Sequence, residues 1–152
     1  MCAAESEPAP HPAQARRIDH VGIATRDADT AAAWYVRTFG LRVTGDEIVG
    51  AAGARLVYLS PGDGDATATA VQLLEPVAAG NIADFVARHG EGFHHVCFAV
   101  DSIDEVLTHI QQPDDTIFLG GRQRRACFLE ERPLGVLIEL TETRRVSEFS
   151  IR

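Results

Sequence analysis

Two stretches of this 152-residue chain repeat one another and decide its fold: Ile18–Asp29 reads IDHVGIATRDAD, and Phe93–Asp104 reads FHHVCFAVDSID. Aligned at an offset of 75 residues, both carry a histidine followed by valine, then an alanine and an aspartate at matching positions. Internal self-similarity is typical of a chain built from copies of one supersecondary unit. We therefore predict two similar halves in a single domain, spanning about residues 18–76 and 93–142.

Each half is predicted to run strand, helix, strand, strand, strand. Apolar residues at helical spacing favour helices over Asp29–Phe39 and Asp104–Ile110, each directly after the repeated strand. A linking helix over Ile82–His89 stops at Gly90 and joins the halves. Two half-sheets of this kind can each curl and share one cleft. Further strands are expected over Arg55–Leu59, Ala70–Pro76, Thr116–Leu119, Arg125–Leu129 and Gly135–Glu142.

Strand parity singles out four polar side chains. Successive strand residues point to opposite faces, so His20 and His95 lie on the side away from their bulky apolar neighbours. Gln72 and Glu139 do the same in the strands that end the two halves. Two imidazoles, a carboxamide and a carboxylate form a donor set for a divalent metal ion. We predict that the four side chains meet at one metal site; the alternative is that each faces solvent.

The segments around these residues resemble a known family. IDHVGIA, VQLLEP, IADFVARHGEGFHHVCFAVDSID and GVLIELTE are similar to the vicinal-oxygen-chelate (glyoxalase/bleomycin-resistance) superfamily, and within it most to the methylmalonyl-CoA epimerases. The resemblance implies an α+β fold in which two paired βαβββ modules form a cupped, mostly antiparallel sheet around one metal site. By motif match it implies His20, Gln72, His95 and Glu139 as the metal ligands. His94 precedes the matching position, and parity predicts that it points to the other face.

The resemblance also implies an activity: metal-dependent epimerisation of a 2-substituted malonyl-type thioester, such as methylmalonyl-CoA, through an enolate. A metal chelating the thioester carbonyl and the carboxylate would act as Lewis acid and template, and Glu139 beside it is the candidate catalytic base. Mixed nitrogen and oxygen ligands do not specify the ion. The candidate ions are Co²⁺, Mn²⁺, Zn²⁺, Ni²⁺, Mg²⁺ and Fe²⁺. The resemblance further implies a homodimer.

Three departures from the family pattern leave the substrate open. The second catalytic glutamate of some relatives falls here on Leu56, which cannot move a proton. The segments 120–125 and 130–133 replace the Gly-x-His-Gly loop and the His-Pro-Lys motif. A related metal-dependent isomerase, cyclase or lyase is therefore an alternative, as is a resistance-type protein that sequesters a ligand. An iron dioxygenase is disfavoured, because Gln72 would occupy a position that oxygen and substrate need.

Charge narrows the range of partners. Fourteen basic and 22 acidic residues give a net charge of −8, which disfavours nucleic-acid binding. All 14 basic residues are arginine, which excludes lysine chemistry such as a Schiff base. Arg122 and Arg124 are the candidate substrate-binding residues, since guanidinium groups suit the carboxylate or phosphate of an acyl thioester. The alternative is a solvated loop that balances Glu130 and Glu131.

The remaining features predict a cytoplasmic protein. The apolar runs are far shorter than the roughly 18 residues that a membrane span needs. The N-terminal residues lack the apolar core of a secretory signal, so we predict a flexible leader over residues 1–17 and a tail over 143–152. Three cysteines without C-x-x-C spacing disfavour a disulfide framework.

Trp34 and Tyr35 are expected to anchor the first helix to the sheet. Glu75 and Glu142 are expected to be surface charges at strand ends.

Overall fold

A computed structural model of the protein describes residue 11 and residues 13–146. Most of the predicted leader and residues 147–152 of the predicted tail lie outside this range, as does Cys2. The elements follow one another as β1 (Arg17–Ala24), α1 (Ala28–Phe39), β2 (Arg42–Val49), β3 (Ala54–Ser60), β4 (Ala70–Pro76), α2 (Asn81–His89), β5 (Gly92–Val100), α3 (Ile103–Ile110), β6 (Phe118–Leu119), β7 (Arg124–Phe128) and β8 (Ile138–Arg145).

The strands form one curled sheet in the order β2-β3-β4-β1-β5-β8-β7-β6. The two halves therefore meet at the antiparallel β1–β5 pair in the centre. Each half joins its first and last strands in parallel, β1 with β4 and β5 with β8, and its other neighbours are antiparallel. The predicted fold class is confirmed: two βαβββ modules, joined by α2, build a mostly antiparallel half-barrel.

Alternation along the strands divides the apolar residues between two layers. On one side of the first half, Val57, Leu59 and Leu73 pack against α1, while the neighbouring residues Leu56 and Leu74 belong to a second cluster on the opposite side. In the second half α3 packs against the sheet around Cys127 and Leu140. With α1 and α3 on the outer layer, the inner face of the curl is left to form a cavity.

Helix α1 contacts the sheet through small residues, contrary to part of the sequence prediction. Ala28 and Ala32 are its buried residues, whereas Trp34 is 47% exposed. Tyr35 is partly buried against the sheet, as expected. Trp34 instead makes edge-to-face contacts with Tyr35 and Phe39 on the helix surface. Short alanine side chains let the helix backbone approach the strands closely, which turns the indole outward.

Glu75 and Glu142 are not the free surface charges that the sequence suggested. Glu75 accepts the backbone N–H of Ala28 at 2.8 Å, and Glu142 accepts that of Ile103 at 3.2 Å. Each carboxylate thus satisfies an unpaired donor at the first turn of the helix in its own half, where the helix dipole favours negative charge. Among the described residues, none of the helices is long and apolar enough to cross a membrane.

Candidate metal centre

The two repeated histidines lie on the central strand pair, and a bulge precedes each of them. In the β1–β5 ladder His20 pairs with Cys97 and Gly22 pairs with His95, with register shifts at Asp19 and at His94. A bulge adds one residue to a strand and re-aims its side chain. Asp19 and His94 consequently line the cavity together with the histidines that follow them. The parity prediction that His94 points to the other face is therefore wrong.

Three of the four predicted ligands meet directly. The Nε2 atoms of His20 and His95 are 3.1 Å apart, and Glu139 Oε2 lies 3.1 Å from the first and 2.9 Å from the second. Gln72 lines the same cavity, and its buried Oε1 has no hydrogen-bond partner among the described residues. All four side chains are buried, with His95 only 1% exposed. The solvent-facing alternative is thereby excluded for them.

These donors fit a divalent metal ion. Ligand atoms at bond lengths of about 2.0–2.2 Å from one ion lie about 3 Å from their neighbours, which is the separation seen between His20, His95 and Glu139. The unpartnered oxygen of Gln72 supplies a further donor. Two imidazole nitrogens with carboxylate and amide oxygens suit several divalent ions. Chemistry and spacing agree with one site that takes donors from both halves.

Asp19 is a site residue that the sequence analysis missed. Its Oδ2 lies 2.8 Å from His20 Nδ1, which leaves Nε2 facing the centre. Burial alone would raise the pKa of Asp19, but the hydrogen bond with His20 and the charges of Arg122 and Arg124 lower it to about 2. A carboxylate bonded to the remote nitrogen orients a metal-binding imidazole. The available signal was its position directly before the repeated histidine.

His94 occupies the matching position in the second half. Its Nδ1 lies 2.8 Å from His95 Nδ1, so His95 Nε2 is the nitrogen left for the centre. Burial, together with the charge of His95, lowers the pKa of His94 to about 4. A neutral His94 can accept the Nδ1–H of His95 through its own unprotonated nitrogen. The residue before each of the two repeated histidines thus bonds the nitrogen that faces away from the centre.

Glu139 and His20 form a buried charge pair. Burial disfavours ionisation of Glu139, but hydrogen bonds from His20 and His95 outweigh it and lower the pKa of the carboxyl. Burial likewise disfavours the His20 imidazolium, yet hydrogen bonds to Asp19 and Glu139 raise its pKa. Glu139 is therefore held as a carboxylate, the form in which it can bind a cation or accept a proton.

Cys97 lies beneath this centre and was not predicted to take part. One ligand atom each of His20, Cys97 and Glu139 lie within 4.8 Å of one another. The thiol is fully buried, and burial raises its pKa, with the nearby Glu139 and Asp19 charges acting in the same direction. The thiol is therefore protonated in the metal-free protein, whereas Glu139 is already a carboxylate.

The arginine-rich loop reaches the site through Asp19. Arg122 and Arg124, the predicted substrate-binding residues, both line the cavity and lie 3.3 Å and 3.1 Å from the Asp19 carboxylate. Arg125 points the other way, to Asp104 at 2.8 Å. Two cationic side chains of the second half are therefore already paired with a carboxylate of the first.

The cavity around the centre has a volume of about 850 Å³. Leu56, which takes the position that the resemblance assigns to a second catalytic glutamate, forms part of the cavity wall. Glu47 lies opposite Leu56 in the ladder, and its carboxylate accepts the backbone N–H of Arg122 at 2.6 Å. On the same wall, Tyr58 Oη accepts a hydrogen bond from Gln72 Nε2 at 2.8 Å. An apolar side chain thus occupies the place of the expected second base.

Comparisons with known proteins agree with this architecture. A family model described as the glyoxalase/bleomycin resistance protein/dioxygenase superfamily matches residues 19–128. Human mitochondrial methylmalonyl-CoA epimerase is 28% identical over 134 residues, covering 83% of this chain and 73% of that protein. The ethylmalonyl-CoA/methylmalonyl-CoA epimerase of Cereibacter sphaeroides is 26% identical over 135 residues, covering 83% and 97%.

A solved epimerase structure is also similar to this chain. A Streptomyces coelicolor methylmalonyl-CoA epimerase variant in complex with 2-nitronate-propionyl-CoA is similar with a TM-score of 0.77 and 32% identity, over 85% of this chain and 98% of that one. The relatives and this neighbour support an enzyme, an isomerase of the epimerase type. Because the matched family model spans more than half of its residues, the chain belongs to the glyoxalase/bleomycin resistance protein/dioxygenase superfamily.

Proposed function

We propose that this protein is a metal-dependent epimerase of a 2-substituted malonyl-type acyl thioester, with methylmalonyl-CoA as the representative substrate. The observation that carries the proposal is the meeting of His20 Nε2, His95 Nε2 and Glu139 Oε2 within 2.9–3.1 Å of one another in a cavity open to a ligand. Relatives named as methylmalonyl-CoA epimerases support the substrate class, as does a neighbour that holds a propionyl-CoA analogue.

His20, Gln72, His95 and Glu139 would hold the ion. A divalent ion bound there supplies a Lewis acid for the oxygens of the thioester and the carboxylate, which stabilises negative charge as the α-proton leaves. The imidazoles offer Nε2 because Asp19 and His94 bond their Nδ1 atoms. Holding these donors in place before substrate arrives reduces the reorganisation that the reaction requires.

Epimerisation removes a proton from one face of C2 and returns it to the other. Glu139 is the proposed acceptor, since it is a carboxylate in the cavity. Its lowered pKa in this arrangement makes it a weak base, so its proton-accepting role depends on a strongly acidified α-carbon. Leu56, on the cavity wall, cannot return the proton. We assign that step to water in the cavity, or to the substrate carboxyl group after water has protonated it. The proton held by Glu139 then passes back through water, so that each group recovers its starting protonation state.

The cationic residues of the cavity suit an anionic thioester. Arg88, Arg122, Arg124 and Arg132 all line it. Arg122 and Arg124 keep their proposed role in substrate binding, although Asp19 already balances part of their charge. Arg88 and Arg132 make no ion pair within 4.0 Å in the described part of the chain. A homodimer and a cytoplasmic location remain part of the proposal.

The proposal is tested by following exchange of the C2 hydrogen of methylmalonyl-CoA in D₂O. We expect exchange and epimerisation with Co²⁺ or Mn²⁺ restored after chelation, and loss of both in the metal-free protein and in His95→Ala. His109→Ala, which alters a histidine on α3 away from the centre, serves as the matched control and should retain both. Metal-independent exchange would contradict the proposal.

A second candidate function is a related isomerase, cyclase or lyase, favoured by Leu56 in place of a base. Tight metal binding without C2 exchange on methylmalonyl-CoA would support it. A protein that binds no stoichiometric metal, with ligand binding intact in His95→Ala, would instead be a sequestering protein of the resistance type. Oxygen consumption that requires Fe²⁺ would identify a dioxygenase.

A further inference from the structure

The two oxygen ligands of the proposed centre face different partners across their strand pairs. Gln72 on β4 is paired in register with Tyr58 on β3, and Glu139 on β8 is paired in register with Phe128 on β7. These are corresponding strands of the two halves. Directly opposed residues share a face of the sheet and lie close enough to contact one another. The halves thus set an amide opposite a phenol and a carboxylate opposite a plain benzene ring.

This difference follows the chemistry of the ligands. A carboxamide binds a cation through its oxygen only, and its NH₂ group then needs an acceptor elsewhere. Gln72 Nε2 donates to Tyr58 Oη at 2.8 Å, while Oε1 remains without a partner among the described residues. Both side chains are at least 97% buried, so no other acceptor is available from bulk water. Glu139 has no N–H to satisfy, and Phe128 offers no hydroxyl.

Tyr58 is itself held from the second half. The guanidinium of Arg122 stacks over its ring, 3.8 Å from the ring centre. The same guanidinium contacts Asp19, which bonds His20. A Cβ built on Gly121 would overlap the phenol oxygen, so the loop passes directly over the hydroxyl. The phenol therefore has little freedom to leave Gln72, and Arg122 connects the supports of both first-half ligands.

We infer that Tyr58 is a positioning residue for the metal: it accepts the amide N–H of Gln72 and thereby presents the Gln72 oxygen to the ion. The inference rests on the proposed metal centre. Without the hydroxyl, metal binding through Oε1 would leave a buried NH₂ group unpaired. Removing a group that orients a metal ligand lowers metal affinity by about 10- to 100-fold.

The test is a Co²⁺ titration of the metal-free protein, followed by calorimetry and by the visible spectrum. Tyr58→Phe removes one oxygen atom, and we expect about a tenfold or larger loss of Co²⁺ affinity. Tyr35→Phe, the same change at a tyrosine on α1, is the matched control and should bind like the unaltered protein. In a Gln72→Ala background, Tyr58→Phe should produce less than about a twofold further loss, because interacting positions are not additive.

Nuclear magnetic resonance gives a readout that does not depend on metal. The side-chain NH₂ signal of Gln72, assigned by its loss in Gln72→Ala, should exchange slowly and should shift in Tyr58→Phe but not in Tyr35→Phe. Unchanged Co²⁺ affinity in Tyr58→Phe would overturn the inference, and so would an equal loss in the presence and absence of Gln72. If the unaltered protein binds no Co²⁺, the proposed centre itself fails, which is a distinct result.

Discussion

The two halves support their repeated histidines, His20 and His95, at the same ring nitrogen but with different groups. In the first half a bulge turns Asp19 onto the Nδ1 atom of His20, and in the second a bulge turns His94 onto the Nδ1 atom of His95. Both contacts are 2.8 Å. One imidazole is therefore backed by a carboxylate and the other by a neutral imidazole, although the backbone geometry is repeated.

The difference extends beyond the site. Asp19 ties the centre to the loop of the other half through Arg122 and Arg124, and also contacts Arg17. His94 makes no ion pair within the described residues and packs its ring against Phe85 of α2, with ring centres 4.7 Å apart. The carboxylate thus connects the first half to the loop of the second half, whereas His94 contacts the linking helix α2. The two halves thus repeat the backbone scaffold, but the residues that contact His20 and His95 have different partners.

The largest expected loss of metal affinity comes from enlarging Gly22, a small residue beside the centre. Gly22 lies opposite His95, and a Cβ there would overlap the imidazole ring. The corresponding residue of the second half, Cys97, lies opposite His20 and is accommodated. We predict that Gly22→Ala displaces the His95 ring and weakens Co²⁺ binding by more than about 100-fold, beyond the loss expected for a supporting residue.

The matched control is Cys97→Ala, which shortens the side chain at the corresponding position. It should change Co²⁺ affinity by less than about tenfold, the lower limit for loss of a supporting residue. Circular dichroism would verify that both variants are folded. Tight Co²⁺ binding by Gly22→Ala would mean that His95 can leave its present position without cost to the centre.

Smaller effects are expected from removing Asp19 or His94, the residues that bond the Nδ1 atoms of His20 and His95. Asp19→Ala leaves the half-buried Arg124 without its carboxylate, and the cost of about 3–5 kcal/mol for breaking a fully buried pair is the upper limit for this change. His94→Ala removes one hydrogen-bond partner of His95, which costs about 1–3 kcal/mol. We therefore predict a greater loss of unfolding free energy for Asp19→Ala, measured by urea denaturation of the metal-free proteins.

Each variant should also bind Co²⁺ about 10- to 100-fold more weakly, because each loses the group that orients a ligand imidazole. Asp63→Ala, at an exposed turn, is the control for loss of an aspartate and should leave both quantities unchanged. Equal destabilisation by Asp19→Ala and His94→Ala would refute the view that the ion pairs of Asp19 with Arg122 and Arg124 add stability that His94 does not provide.

The repeat made the scaffold and the main donors accessible from sequence. Parity identified His20, Gln72, His95 and Glu139 because their strands are regular at those positions. It failed at Asp19 and at His94, since one inserted residue changes the face to which a side chain points. No short sequence pattern predicts such a bulge. Here the comparison between copies was the available signal, because corresponding residues precede both ligand histidines.

Other features depend on contacts between distant segments. The Tyr58–Gln72 bond requires the register of β3 against β4, which a hydrophobic pattern does not specify to the residue. The pairing of Arg122 with Asp19 joins residues of different halves across the cleft. Glu75 and Glu142 were expected to be surface charges, and their contacts with the helix starts depend on the position of each helix beside its strand end.

The smallest difference between the halves is the residue that caps the N-terminus of α1 or α3. Asp27 caps α1 by accepting the N–H of Thr30 at 2.9 Å, and Ser102 caps α3 by accepting that of Glu105 at 3.2 Å. The Thr30 hydrogen bonds lower the pKa of Asp27 below its ordinary value of 3.8. Its stabilising contribution is therefore fully present above pH 3.8 and is lost as pH falls through the lowered folded pKa. A serine hydroxyl does not titrate in this range.

We predict that Asp27→Ala destabilises the protein near neutral pH and that this cost shrinks as pH falls below 3.8. Ser102→Ala should cost about 1 kcal/mol at every pH at which the protein folds. Urea denaturation of the unaltered protein and both variants across the acid range measures the two costs. A constant cost for Asp27→Ala would show that the charge of the cap contributes nothing.

The two helix starts have similar charged surroundings. Beside α1, Arg55 contacts Asp29 and Glu75, and beside α3, Arg125 contacts Asp104 and Glu142. Arg55 has one further partner, Asp46 at 2.8 Å. These carboxylates are present in the unaltered protein and in both variants. Subtracting the pH profile of Ser102→Ala from that of Asp27→Ala therefore removes their shared contribution, and the remaining slope reports the one ionisable cap that the first half has and the second lacks.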